Sequence, residues 1–121
     1  MAGFGEINKS NKKKVYQSHK YDDIKIINQA IFYHSKGNIV QAGKLYKFLI
    51  EKGSANSTIF ANYGLILINS GKFKDAEFFI RKAIELNPKD SKAHYNLGGI
   101  LKSQGKLKDA EFFIRKAIEL N

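Results

Sequence analysis

Apolar residues in the second half of the chain recur at steps of three and four. Phe60, Tyr63, Leu67 and Ile68 trace one stripe, and Ala76, Phe79, Ile80, Ala83 and Ile84 trace another. That period belongs to an amphipathic helix, and no segment shows the period-two alternation of a half-buried strand. The first stripe predicts a helix that begins at a cap on Asn56 or Ser57 and runs to about Ser70. Gly71 should end it, since a glycine accepts the left-handed backbone of a helix stop. The second predicts a helix from about Phe73 to Leu86, which Pro88 keeps from continuing. Glu77 and Arg81, four apart, form a favourable pair on its flank.

The same plan returns. AEFFIRKAIELN occupies Ala76 to Asn87 and again Ala110 to Asn121, an offset of 34 residues. Upstream, GKFKD at Gly71–Asp75 aligns with GKLKD at Gly105–Asp109, and Gly37 with Ala42 marks a copy one period earlier. Three helix–turn–helix copies follow, at about 23–56, 57–90 and 91–121, with Asp90 or Ser91 capping the third. The expected fold class is all-α.

Composition narrows the options. The 121 residues include no Cys, no Trp and one Pro, so neither a disulfide framework nor a Cys-based metal site is available. No apolar run approaches the ~20 residues that span a bilayer, and the first residues lack a signal-peptide layout. The chain is expected to be cytoplasmic and not to engage a membrane. The net charge is +10, of which residues 1–20 hold +4. Lys12, Lys13 and Lys14 concentrate it in segment 1–21, expected as a solvated tail or, through Phe4, Ile7, Val15 and Tyr16, as an extra helix. The near balance of charge in the first two copies argues against a basic groove, so nucleic acid is not an expected partner.

The copies resemble the tetratricopeptide repeat, whose 34-residue pattern is W-x2-L-G-x2-Y, then A-x3-F, then P. In copy two it falls on Phe60, Tyr63, Gly64, Leu67, Ala76, Ile80 and Pro88. In copy three it falls on His94, Leu97, Gly98, Leu101, Ala110 and Ile114, and in copy one, more loosely, on Ile26, Gln29, Ala30, Tyr33, Ala42 and Tyr46. The small residues stand where paired helices must approach, with Ala76 and Ala110 expected opposite Gly64 and Gly98.

The resemblance implies a right-handed α-α superhelix whose first helices line a concave groove for a protein or peptide ligand. Asn28, Asn62 and Asn96 recur every 34 residues on those helices, similar to the asparagine ladder of O-linked N-acetylglucosamine transferase arrays. An amide both donates and accepts, so such a row can hold the backbone of an extended peptide; the other reading is local packing. The same helix faces add Ile27 and Ile31 in copy one, Leu65 and Asn69 in copy two, and Lys92, Tyr95 and Lys102 in copy three. Chaperone-binding relatives clamp a terminal carboxylate with Lys, Asn and Arg. Here Asn62 and Lys92 match that set, but Ile27, Ile31 and Asn96 break it.

No catalytic constellation is present: His19, His34 and His94 are isolated, and no cofactor, metal site or enzyme activity is expected. Alternatives to a binding scaffold are an oligomerisation or targeting domain of a larger enzyme, such as a glycosyl- or sulfotransferase, and nucleic-acid binding through the basic N-terminus. The chain stops at Asn121, one position before the third copy's proline, as a piece of a longer array would. An uncapped end exposing Leu97, Leu101, Phe112, Phe113 and Leu120 is then expected to favour a homo-oligomer.

Overall fold

The computed structural model describes residues 22–121, which fall into two compact units, 22–45 and Tyr46–Asn121. Segment 1–21 and its lysines lie outside the described residues. In the first unit, helix α1 covers 22–35 and turns at Gly37 (φ +79°) into α2, Ile39–Glu51, which runs on into the second unit. Ala30 and Ala42 are fully buried. The second unit continues with α3 (Ser57–Asn69), α4 (Phe73–Leu86), α5 (Ser91–Ser103) and α6 (Leu107–Leu120). Among the described residues every regular element is helical.

Local chemistry sets each boundary. Asn56 is the N-cap of α3, its side-chain oxygen accepting from the Thr58 and Ile59 amides at 2.9 and 3.4 Å. Asp90 caps α5 in the same way, accepting from Lys92 and Ala93 at 3.1 and 3.2 Å. At the other end of α3, Gly71 takes φ +75°, and the Lys72 amide returns to the Leu67 carbonyl at 2.9 Å. This closes carbonyls that the helix leaves open. Pro88 drives the residue before it out of helical geometry, so α4 ends at Leu86 with Asn87 at ψ 87°.

Helices α3 and α4 form one antiparallel hairpin, α5 and α6 the next, and α4 also packs along α5. One cluster joins Leu67, Ala76 and Ile80 to Ala93, Leu97, Ile100, Leu101 and Ala110. Leu97 and Leu101 are therefore fully buried, contrary to the expectation that they sit at an open end. Their helix is sandwiched between α4 and α6; on α6 Phe112 is exposed as expected, Phe113 and Leu120 are half-buried, and Leu107 and Ile118 are exposed as well. The first helices are also buried on a second face: Ile59 and Ile66 on α3, Ala93 and Ile100 on α5.

Close approach within each hairpin rests on a glycine. A Cβ on Gly64 would lie 2.6 Å from Ile80 Cδ1, and one on Gly98 would lie 2.5 Å from Ile114 Cγ1. The isoleucines, more than Ala76 and Ala110, fill the space that the glycines leave; the Ala76 carbonyl oxygen is farther, at 3.5 Å. Aromatic contacts complete the hairpins, with Tyr63 edge-on to Phe79 at 4.9 Å and His94 stacked on Phe113 at 6.0 Å. His94 is buried and its Nε2 lies 2.8 Å from the Pro88 carbonyl oxygen, which can only accept, so this nitrogen carries the proton.

Polar contacts seal the seam between the hairpins. Arg81 Nε donates to Glu77 at 3.0 Å, and the guanidinium lies 5.7 Å from the centre of the Phe113 ring on α6. The side chain of Gln104, in the α5–α6 turn, borders the same hollow as Glu77. Partial burial pushes the Glu77 carboxyl up, but the Arg81 hydrogen bond and the nearby Gln104 amide, aided by the charges of Arg81 and Lys106, outweigh it and hold it below its ordinary value.

Two adjacent glycines should respond in opposite directions. Gly99 has open space around its Cβ position, so Gly99→Ala is expected to stabilise by up to ~1 kcal/mol through helix propensity. Gly98→Ala should destabilise, as should Gly64→Ala, and the Gly64 penalty should vanish in an Ile80→Ala background. Urea unfolding of the single and double variants checks both. The Glu77 contribution is present above the unfolded-state pKa and is lost as pH falls through the lowered folded-state value. Glu77→Gln should therefore flatten part of the loss in urea midpoint between about pH 5 and pH 3; an unchanged slope would refute the seam's role.

Candidate functional site

Helices α3 and α5 are the first helices of consecutive hairpins and touch one another. Below their contact, Leu65 of α3 and Ser91, Lys92, Tyr95 and Asn96 of α5 border a cavity of about 430 Å³. Its far wall is the last turn of α6, Ala117 and Ile118, with Asn121. A second hollow of about 330 Å³ lies on the other side of Tyr95 and Asn96, bordered by Ile68, Phe73, Gly99 and Lys102 among others. Tyr95 is mostly exposed, and its ring stands between the two hollows. Lys92 and Lys102 supply positive charge, and neither hollow is lined by an acidic side chain.

Five of the residues singled out in the sequence thus come together: Leu65, Lys92, Tyr95, Asn96 and Lys102. Asn69 is exposed on the last turn of α3 and borders neither hollow. Ile27, Asn28 and Ile31 belong to α1 in the other unit, where Asn28 and Ile31 are exposed and Ile27 is half-buried.

The asparagines differ in their surroundings. Asn62 is half-buried and its Nδ2 donates to the Tyr46 hydroxyl at 3.1 Å. Burial pushes the Tyr46 hydroxyl pKa up, opposed in part by this hydrogen bond. Asn62 therefore spends one of its donors on the core. Asn96 is half-buried, borders both hollows, and forms no hydrogen bond with the described residues. Tyr46 stands one period before Ile80, so a hydroxyl enters a core position, and that substitution is the sequence signal that a polar partner is needed. The repeat pattern does not mark Ser91, Ala117, Ile118 or Asn121 as site residues. Antiparallel pairing brings the end of α6 beside the start of α5, and this was the available signal.

Among the described residues no three His, Asp or Glu side chains gather as a metal site, and no helix is long and apolar enough to cross a membrane.

No curated protein sequence matches the chain. Residues 57–90 and, in a shifted frame, 79–112 each match a family described as tetratricopeptide repeat. Several solved structures share the fold. The second tetratricopeptide domain of Spaghetti (RPAP3), bound to the HSP90 peptide SRMEEVD, superposes with TM-score 0.82 at 24% identity, over 93% of this chain and 97% of that one. MamA gives 0.76 at 20% identity, over 90% of this chain and 64% of its own. The Arabidopsis OM64 tetratricopeptide domain gives 0.76 at 21% identity, over 84% of each chain. Tetratricopeptide repeats are thus recognised within residues 57–112, and the fold is the all-α fold of such repeats.

Proposed function

We propose that the protein is an interaction scaffold that holds an extended peptide along the α3–α5 face. The observation that carries this reading is the pair of hollows flanking Tyr95 and Asn96, apolar in their walls and lysine-bearing at their rims. A ring between two pockets suits a chain whose alternate side chains drop to either side, while the Asn96 amide meets its backbone. Lys92 and Lys102, with no acidic side chain in either lining, favour an acidic peptide. The RPAP3 domains, solved with an HSP90 peptide, support peptide binding on this fold. The carboxylate clamp is absent here, so an acidic stretch within a chain fits better than a free terminus. The binding role asks for no chemistry from the chain, and the reading is therefore of a scaffold and not an enzyme.

Asn62 enters this reading as a support: tied to Tyr46, it stiffens the α3 end of the face, and Asn96 makes the direct contact.

A panel of acidic heptapeptides, each with free and amidated C-terminus, should contain binders detectable by fluorescence anisotropy, with amidation making no difference. Tyr95→Ala and Asn96→Ala should each weaken the best binder about tenfold, or ~1.4 kcal/mol. Combining Lys92→Ala with Lys102→Ala should weaken it and reduce its salt dependence. Phe112→Ala, away from both hollows, should change nothing. Equal affinity for Tyr95→Ala and the unmodified chain would remove the α3–α5 face as the site.

A further inference from the structure

The chain contains its own control for what covers a repeat. Helices α4 and α6 share the residues AEFFIRKAIEL, yet α4 is covered by α5 and the α5–α6 turn, and α6 stands open. Comparing like with like marks the footprint of the cover. The Glu77 side chain is 21% exposed and that of its equivalent Glu111 is 60%; Arg81 is 47% exposed and Arg115 is 74%. Phe73 is 37% exposed against 65% for Leu107, and half-buried Ile84 becomes Ile118 at 70%. Phe78 and Phe112, by contrast, are equally exposed at 66% and 64%. The footprint is therefore one stripe, Leu107, Glu111, Arg115 and Ile118, at helical steps of four, four and three, and Phe112 lies outside it.

On α4 this stripe is met by α5 and its turn: Ala93 and Ile100 join the shared cluster with Ile80, and Gln104 comes beside Glu77. Two periods earlier the same register positions fall on α1 and its turn, at Lys25, Phe32 and Lys36. Phe32, in the place of Ile100, is 57% exposed, and the Lys36 ammonium lies 5.7 Å from its ring centre. Lys36, in the place of Gln104, would bring a cation to Glu111 where Gln104 brings an amide to Glu77. Lys25, in the place of Ala93 in the first turn, would come near the last turn of α6, which carries Glu119.

We infer that the α6 stripe docks α1 of a second copy of this chain, head to tail, with Phe32 on the apolar part of the stripe and Lys36 against Glu111. The occupant follows from register, exposed apolar surface and charge, all three supplied by one helix of the same sequence. The contact joins unlike surfaces, so it does not close on itself at two copies. Ile118 also walls the first hollow, but Lys92, Tyr95, Asn96 and Lys102 lie outside the stripe, so failure of the contact leaves their part in peptide binding standing on its own test.

Sedimentation of the full chain from about 10 µM to about 1 mM tests it. The mass should rise with concentration past that of a dimer. Glu111→Lys and Phe32→Lys should each weaken self-association at least tenfold, with helical circular dichroism retained; if Phe32→Lys does not fold, Lys36→Glu takes its place. Mixing the two blocked chains leaves one good α6 stripe and one good α1, and should give a species that stops at two. Pairing Glu111→Lys with Lys36→Glu should restore assembly. Phe112→Lys should assemble like the unmodified chain. A mass independent of concentration would overturn the inference, as would an unmodified chain that stops at the dimer or a Phe112→Lys chain as impaired as Glu111→Lys.

Discussion

The arrangement of the second unit depends on how closely two helices of a hairpin can approach. At Gly64 and Gly98 there is no room for even a methyl group against Ile80 and Ile114. Close approach lets the isoleucine of one helix press on the backbone of its partner, and it narrows each hairpin enough for the next to lie against it. The cluster that spans α3 to α6 is the result. It buries two faces of α5, and α3 too is buried on two faces, so each first helix is left one narrow strip for anything else. The strips of α3 and α5 are where Leu65, Lys92, Tyr95 and Asn96 meet. Packing thus selects, by elimination, the face that is left open.

Helix boundaries were legible because each is written locally. Asn56 and Asp90 cap through their own side chains, Gly71 and Gly105 turn through positive φ, and Pro88 forbids continuation. None of these needs knowledge of a distant residue. The second buried face was not legible in the same way. Ala93 and Ile100 pack against α4 of the preceding hairpin, Ile59 and Ile66 hold the same positions on α3 and are also buried, and a reading of one stripe per helix treats all four as surplus. The same omission left Leu97 and Leu101 at an open end, when α5 is the middle layer between α4 and α6.

The candidate site was legible in part for a related reason. Spacing alone puts Lys92, Tyr95, Asn96 and Gly99 on one side of α5, and repeat register adds Leu65 from α3. What spacing cannot give is competition for a side chain. Asn62 and Asn96 occupy equivalent positions, but the hydroxyl of Tyr46 has entered a core position and needs a partner, and Asn62 supplies it. Burial of that hydroxyl raises its pKa and makes an unpartnered alternative costly. One substitution in the core of a neighbouring copy thus changes what a periodic surface residue is free to do. The wall formed by Ala117 and Ile118 is a different case, since it comes from a second helix that the groove picture assigns elsewhere.

Identical sequence in two settings separates what a helix carries from what its neighbours make of it. In α4 and α6 the Glu–Arg pair forms in both copies, at 3.0 Å for Glu77 and Arg81 and at 2.6 Å for Glu111 and Arg115. The pair is therefore a property of the helix. Only in α4 does the carboxylate also meet an amide and the guanidinium a ring, and only there is the side chain drawn out of water. An exposed pair of this kind contributes little by itself, on the order of 0.3–0.5 kcal/mol. Its value lies in geometry: it holds an acceptor and a flat cation in place along an apolar stripe before anything arrives. A repeat protein reuses such a stripe at each seam, and the polar residues in it set which helix fits. Leu107 and Ile118 supply area, while Glu111 asks for a donor at one position, and a helix with a lysine there answers more strongly than one with a glutamine.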